Sequence, residues 1–182
     1  LQFGERSRRG HEGFKSVALD IMNESAQEPE SDNKPASNTD HAAVMRIVEM
    51  LRAGRNDEAI SSVEALQAAR PDDPDVLVLA GLAHAVQGDI KTATGYLERA
   101  IAVRPGDPQS SRVLAVMAVR NGDIAGARSR LEAVLQHYPG HPATAAMLAD
   151  LEARAGRPAV GIAHLEHAIA KNPGAIELNL PL

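Results

Sequence analysis

The chain has 182 residues, of which 44% are hydrophobic but only 2% aromatic, and it contains no cysteine and no tryptophan. The absence of cysteine excludes disulfides and thiolate metal sites, and the scarcity of rings disfavours a site that stacks bases or sugars. A net charge of −5 gives no general attraction to nucleic acid or anionic membranes. Ala, Leu, Val and Ile must supply the packing, and so few rings favour helices over a β-sandwich or barrel, which relies on aromatic and β-branched residues.

Residues 1–39 are predicted to form a disordered leader and linker. Residues 23–39 are almost free of large apolar side chains and rich in Glu, Ser, Asn and Pro, so they bury too little surface to offset the entropy of ordering. The alternative is an acidic tail that docks on a basic partner or back onto the domain.

The N-terminal segment also bears on localisation. Ser7-Arg8-Arg9 could begin an export signal, but Gly10-His11-Glu12-Gly13 stands where its apolar region should follow. No apolar run is long enough to span a bilayer. We therefore expect no membrane span and a cytoplasmic protein, or a periplasmic one if a signal has been removed.

From residue 40 onward the chain repeats itself every 34 residues. Residues of the same kind recur at this interval as Pro71, Pro105, Pro139 and Pro173; as Gly54, Gly88, Gly122 and Gly156; as Ala59, Ala93, Ala127 and Gly161; and as Val63, Leu97, Leu131 and Leu165. The period predicts four repeats, 40–73, 74–107, 108–141 and 142–175, followed at 176–182 by a tail or the start of a further repeat.

Each repeat is predicted to be an antiparallel pair of helices. Numbering positions from the start of a repeat, proline at position 1 suits a first helical residue, and glycine at position 15 ends the first helix. Asp89 and Asp123 at position 16 can cap the second helix. A small residue at position 20 lets the two helices approach closely, and proline at position 32 ends the second helix. One pair cannot bury its apolar stripe alone, so the pairs must stack.

This pattern resembles the tetratricopeptide repeat, most closely in the second repeat, where the signature places hold Gly81, Ala93, Leu97, Ala100 and Pro105. The resemblance implies an all-α fold, a right-handed α-solenoid of stacked antiparallel helix pairs. The last repeat departs from the pattern with Gly161 at position 20, Arg157-Pro158 in place of a capping Asp, and Glu152 at a position where the family often has a ring. The first repeat departs with Ile47 at position 8, where a small residue is usual. We therefore expect the end repeats to be the least stable.

The resemblance also implies that positions 2, 5, 9, 12 and 13 of the first helices line a ligand groove. The predicted peptide-binding residues are Val44, Val48, Arg52, Val78, Leu82, Arg112, Val116, Arg120, Asp150 and Arg154. Arginine can hold a carboxylate bidentately, so the predicted partner is a protein or peptide, acidic if these arginines bind it. Alternatively, the arginines are favoured by the helix dipole and simply point to water.

The predicted function is a non-enzymatic scaffold for protein or peptide binding, or for complex assembly. No phosphate-binding loop, dinucleotide motif or nucleophile elbow is present. The pairs His164/His167 and His137/His141 do not predict a metal site, so neither a metal nor a cofactor is expected, and nucleic acid is not expected as a partner.

Two alternatives stay open. The chain could be the recognition module of a larger enzyme, of sulfotransferase, glycosyltransferase or hydroxylase type. The second alternative concerns the C-terminal end, where no polar helix follows the last repeat: the chain could be a module cut from a longer array or a larger protein, or a second copy could cover this end.

Overall fold

The computed structural model describes residues 38–173 together with Val17, Asp20 and Ile21, which are helical. The predictions for the rest of the leader and for the tail lie outside these residues. Within the described part the chain is all-α, with no strand. Its helices are α1 (Asn38–Arg52), α2 (Asn56–Ala69), α3 (Pro74–Gln87), α4 (Ile90–Val103), α5 (Pro108–Arg120), α6 (Ile124–His137), α7 (Pro142–Arg154) and α8 (Pro158–Lys171).

The helices pack as successive antiparallel pairs, one pair in each 34-residue period. We call α1, α3, α5 and α7 the A helices, and α2, α4, α6 and α8 the B helices. The chain divides into two compact units, unit 1 (residues 1–104) and unit 2 (residues 105–182). In unit 1, α2 also packs on α3, and in unit 2, α6 also packs on α7. The all-α fold of helix pairs is therefore confirmed.

The A helices of repeats 2 to 4 begin at the prolines that the sequence places there, two of them after a capping aspartate. Pro74, Pro108 and Pro142 each stand at the first residue of an A helix. The Asp73 carboxylate accepts a hydrogen bond from the Asp75 N–H at 3.0 Å, and Asp107 accepts one from Ser110 at 2.8 Å. Such bonds satisfy amides that have no partner inside the helix.

The B helices α4 and α6 begin in the same way. Asp89 accepts a hydrogen bond from the Thr92 N–H at 3.1 Å, and Asp123 accepts one from Gly126 at 2.8 Å. The predicted capping by Asp89 and Asp123 is thus confirmed.

The two helices of a pair approach closely where position 8 meets position 20. A Cβ built on Gly81, at position 8, would lie 3.2 Å from the carbonyl oxygen of Ala93, at position 20. A Cβ built on Gly161, at position 20, would lie 2.8 Å from the carbonyl oxygen of Ala149, at position 8. Repeats 2 and 4 therefore carry the same Gly/Ala pair with its members exchanged, and Gly161 is matched to its neighbour.

Branched aliphatic residues fill the space beside these contacts. In unit 2 the core consists of Ala115, Ala127, Leu131, Leu148 and Leu151. In unit 1, α3 is the most buried helix, since every residue from Val76 to Ala83 is buried.

Candidate peptide-binding surface

The turn after each A helix sets where the last residues of that helix point. The glycine at position 15 has a positive φ in all four repeats, between 76° and 97°, a conformation that side chains with a Cβ rarely adopt. The N–H at position 16 donates to the carbonyl at position 11 each time, as in Asp89 to His84 at 2.9 Å and Arg157 to Glu152 at 2.8 Å. Positions 12 and 13 therefore occupy the same place in the last turn of each A helix.

Positions 5, 9, 12 and 13 of the A helices define what we call the A-helix surface of each unit. In unit 1 most of this surface is covered. Val78 and Leu82 have only 1% and 0% of their surface exposed, and Val48 has 3%. Val44 is half-buried, and Arg52 is exposed. The Arg52 guanidinium lies 3.7 Å from the carboxylate of Glu49 on the same helix.

In unit 2 the corresponding surface is more open. Arg120, Asp150 and Arg154 are exposed, and Val116 is half-buried. Arg154 and Asp150 form an ion pair at 2.8 Å. Arg112, by contrast, is buried, and its Nε donates to the Met147 sulfur at 3.2 Å. Unit 2 thus presents two exposed arginines one repeat apart, and the predicted residues that the structure leaves open are concentrated there.

A buried ionic cluster in unit 2 was not expected from the sequence. The Glu152 carboxylate is almost fully buried, and its two oxygens lie 2.5 Å from Arg128 Nε and 2.7 Å from Arg157 Nε. Arg128 lies on α6, Glu152 on α7, and Arg157 in the turn before α8, so the cluster ties three elements together. The two departures from the family pattern, at positions 11 and 16 of repeat 4, were a usable signal because they compensate each other's charge.

Unit 1 carries a second polar cluster at the equivalent place. His84 stacks on Tyr96 with ring centroids 5.6 Å apart, and its Nδ1 lies 3.8 Å from the Asp89 carboxylate. The Tyr96 hydroxyl donates to the Gln67 side-chain oxygen at 3.2 Å, which links repeats 1 and 2. Hydrogen bonds from Thr92, with a smaller contribution from His84, hold the pKa of Asp89 below its ordinary value of 3.8. The cluster joins neighbouring repeats and does not form part of the A-helix surface.

The histidine pairs considered as metal ligands have other surroundings. His141 caps α7, since its Nδ1 accepts a hydrogen bond from the Thr144 N–H at 3.1 Å. His167 is exposed, whereas His164 is partly buried rather than fully solvated. Among the described residues, no group of three or more His, Asp or Glu side chains is arranged to hold a metal ion.

No helix within the described residues is both long and apolar enough to cross a bilayer.

The helix pairs recur every 34 residues, and the A helices place positions 5, 9, 12 and 13 on one surface. These features define a helical-repeat protein. Two family models, both described as tetratricopeptide repeat, match the chain at residues 46–110 and 118–178. The protein belongs to the tetratricopeptide repeat family.

Solved structures show the same fold over nearly the whole chain. A thermophilic tetratricopeptide repeat protein from Thermus thermophilus, TTC0263, is 18% identical, with a TM-score of 0.62 over 97% of this chain and 90% of that one. The protein MamA is 14% identical, with a TM-score of 0.59 over 96% of this chain and 95% of that one. At these identities the likeness concerns the fold alone. Among curated proteins no match was found.

Proposed function

We propose that this protein is a non-enzymatic scaffold that binds an acidic segment of a partner protein on the A-helix surface of unit 2. The observation that carries the proposal is the exposure of Arg120 and Arg154 at position 13 of successive repeats. Tetratricopeptide repeats typically mediate contacts between proteins, and the family membership of this chain supports that general role.

The surroundings of the two arginines suit a peptide carboxylate. Val119 and Ala153, at position 12, are exposed beside them and offer apolar surface for the rest of a ligand. The ion pair of Arg154 with Asp150 is exposed, and pairs of this kind contribute only about 0–1 kcal/mol. A ligand carboxylate can therefore replace Asp150 at little cost, and the planar guanidinium can hold it through two hydrogen bonds.

The test is binding of a fluorescent acidic peptide, for example a Glu- and Leu-containing decamer, to the full chain. Substituting both arginines, as R120A together with R154A, should weaken binding about ten-fold or more, because charge-assisted hydrogen bonds contribute roughly 1.5–3 kcal/mol each. Affinity should also fall as salt is raised. Adding R52A should cause little further loss, because Arg52 lies beside a covered surface.

A matched control removes the same charge elsewhere. Arg46 and Arg55 are exposed residues of repeat 1 outside positions 5, 9, 12 and 13, and the double variant R46A with R55A should bind as tightly as the unchanged chain. Equal losses in the two double variants would reduce the effect to net charge, and an unchanged affinity in R120A with R154A would refute the site.

A second candidate function, self-association, rests on the outer side of α8. Ile162 and Ile169, at positions 21 and 28, are 55% and 43% exposed. The residues at these positions in repeat 3, Arg128 and Leu135, are partly buried, and α6 packs against the following helix α7. We infer that a second copy of the chain covers the apolar side of α8.

The first helix indicates how two copies would meet. On α1, Ala42, Arg46 and Glu49 at positions 3, 7 and 10 are exposed. In α7 the same positions hold Thr144, Leu148 and Leu151 and are buried. A charged α1 edge is a poor partner for the two isoleucines, so we expect an isologous contact of α8 with α8 rather than a head-to-tail chain.

Sedimentation over a concentration series tests this assembly. The unchanged chain should show a monomer–dimer equilibrium that stops at the dimer, and I162E with I169E should be monomeric. The control V103E places one glutamate on the exposed Val103 of α4 and should leave the dimer intact. A strictly monomeric unchanged chain at high concentration refutes self-association.

A further inference from the structure

The part of the A-helix surface of unit 1 that lies on α3 is fully covered. On α3, positions 5, 9, 12 and 13 are Val78, Leu82, Ala85 and Val86, and none is more than 1% exposed. The same positions of α7 in repeat 4 are Ala146, Asp150, Ala153 and Arg154, and all four are exposed. The four covered residues of α3 are all apolar, whereas the four exposed residues of α7 include Asp150 and Arg154. The surface of α3 therefore suits contact with apolar side chains.

Ile21, in the same unit, is an apolar side chain that is almost fully buried. It is helical and 1% exposed, while Val17 and Asp20 on the same stretch are exposed. Burying an isoleucine removes its apolar surface from water, and one helical turn cannot do this by itself. The Ile21 side chain must therefore pack against a larger apolar surface.

Two other surfaces of unit 1 do not receive Ile21. A helix placed before repeat 1, as a preceding B helix would be, would cover Ala42, Arg46 and Glu49 on α1, yet these are exposed. The outer sides of the B helices are exposed too, as at Glu64 on α2 and Val103 on α4. The covered A-helix surface, with its apolar side chains, matches the chemistry of Ile21.

We propose that the helical turn carrying Ile21 lies on the A-helix surface of unit 1 and acts as an internal ligand of that surface. The apolar positions of α3 are then occupied by this turn, and among the described residues the surface of unit 2 remains open to a partner. This proposal does not depend on the acidic-peptide site, because it concerns different residues and is tested without a ligand.

Because the chain contains no cysteine, the reaction rate of one introduced cysteine shows whether its position is covered. In the full chain, V78C should react slowly with a maleimide, whereas A146C, at the equivalent position of repeat 4, should react fast. Introducing I21D should raise the V78C rate about ten-fold or more, because local release exposes the thiol without global unfolding. The A146C rate should not change.

Two controls separate local release from loss of the fold. V17D places the same charge four residues earlier at an exposed position and should leave V78C protected. A59C probes a fully buried residue between α1 and α2, and its thiol should stay protected in the I21D chain. An unchanged V78C rate in I21D, or an equal rise at A59C, overturns the proposal.

Two further measurements identify the segment directly. Protection of V78C should be independent of protein concentration, and protection that is lost on dilution would assign the cover to a second copy and overturn the proposal. A short bismaleimide should join I21C to V78C within one chain, but should not join I21C to V103C. Failure of the first cross-link would also contradict it.

Discussion

At the residue scale, the helix pairs of repeats 2 and 4 share one glycine–alanine contact whose members are exchanged. Gly161 departs from the usual alanine, and the sequence alone marks it only as a weakness. The structure shows why it is needed, since the backbone of Ala149 on the facing helix leaves no room for a Cβ at position 161. One sequence predicts that position 20 must be small. It cannot tell which of two facing positions lacks the Cβ, because that depends on the local distance between the helices.

We expect Gly161→Ala to lower the free energy of unfolding by about 1–3 kcal/mol, the usual cost of overpacking a close contact. The added Cβ would lie 2.8 Å from the Ala149 carbonyl oxygen, a backbone atom that cannot move without shifting α7. The measurement is denaturant unfolding followed by circular dichroism, with the slope of the transition compared between variants.

The control for this prediction is Gly95→Ala. Gly95 lies inside α4 and is exposed, and a Cβ built there meets nothing within 4 Å. Alanine should therefore stabilise the chain by about 0.5–1 kcal/mol through its helix propensity alone. If the Gly161→Ala chain were as stable as the unchanged chain, α7 and α8 could move apart without a loss of stability, which would contradict the prediction.

At the element scale, helix bounds were more predictable than contacts between helices. Proline and aspartate fixed the start of α3 and α5 because a missing N–H and a carboxylate acceptor act locally. The burial of Val78 and Leu82 could not be predicted, since it depends on what lies above them. The buried cluster around Glu152 was also missed, because its partner Arg128 lies 24 residues earlier, on a different helix.

That cluster carries the prediction at this scale. Glu152→Gln keeps the side-chain size but removes the charge that offsets Arg128 and Arg157, and the partly buried guanidinium of Arg128 keeps its own charge. We expect a loss of about 2–3 kcal/mol in the free energy of unfolding, by analogy with buried pairs that lose one partner. Asp150→Asn removes an equal charge from the same helix at an exposed ion pair and should cost less than about 0.5 kcal/mol. Equal effects of the two substitutions in denaturant unfolding would show that the buried cluster contributes no more than surface charge.

At the scale of the whole molecule, burial is distributed unevenly along the repeats. In α3 ten residues are buried, whereas in α8, of equal length, only Gly161 and Ala168 are. In a repeat protein each helix pair is stabilised mainly by its neighbours, so a helix with one uncovered side should open more readily. The sequence predicts this difference for the end repeats, and the exposed Ile162 and Ile169 locate it on α8.

Native-state hydrogen exchange tests the difference directly. Amides of α8 should exchange through local opening with a free energy well below that of global unfolding, while those of α3 should exchange only near the global value. Helix length does not explain the contrast, because α4 and α8 both have 14 residues, and α4 should be protected more strongly than α8. If α8 dimerises as proposed, its protection should rise with protein concentration, and in the I162E with I169E variant it should be low at every concentration. Protection of α8 equal to that of α3 in the monomeric variant would contradict the prediction, since it would mean that the helix needs no cover to be stable.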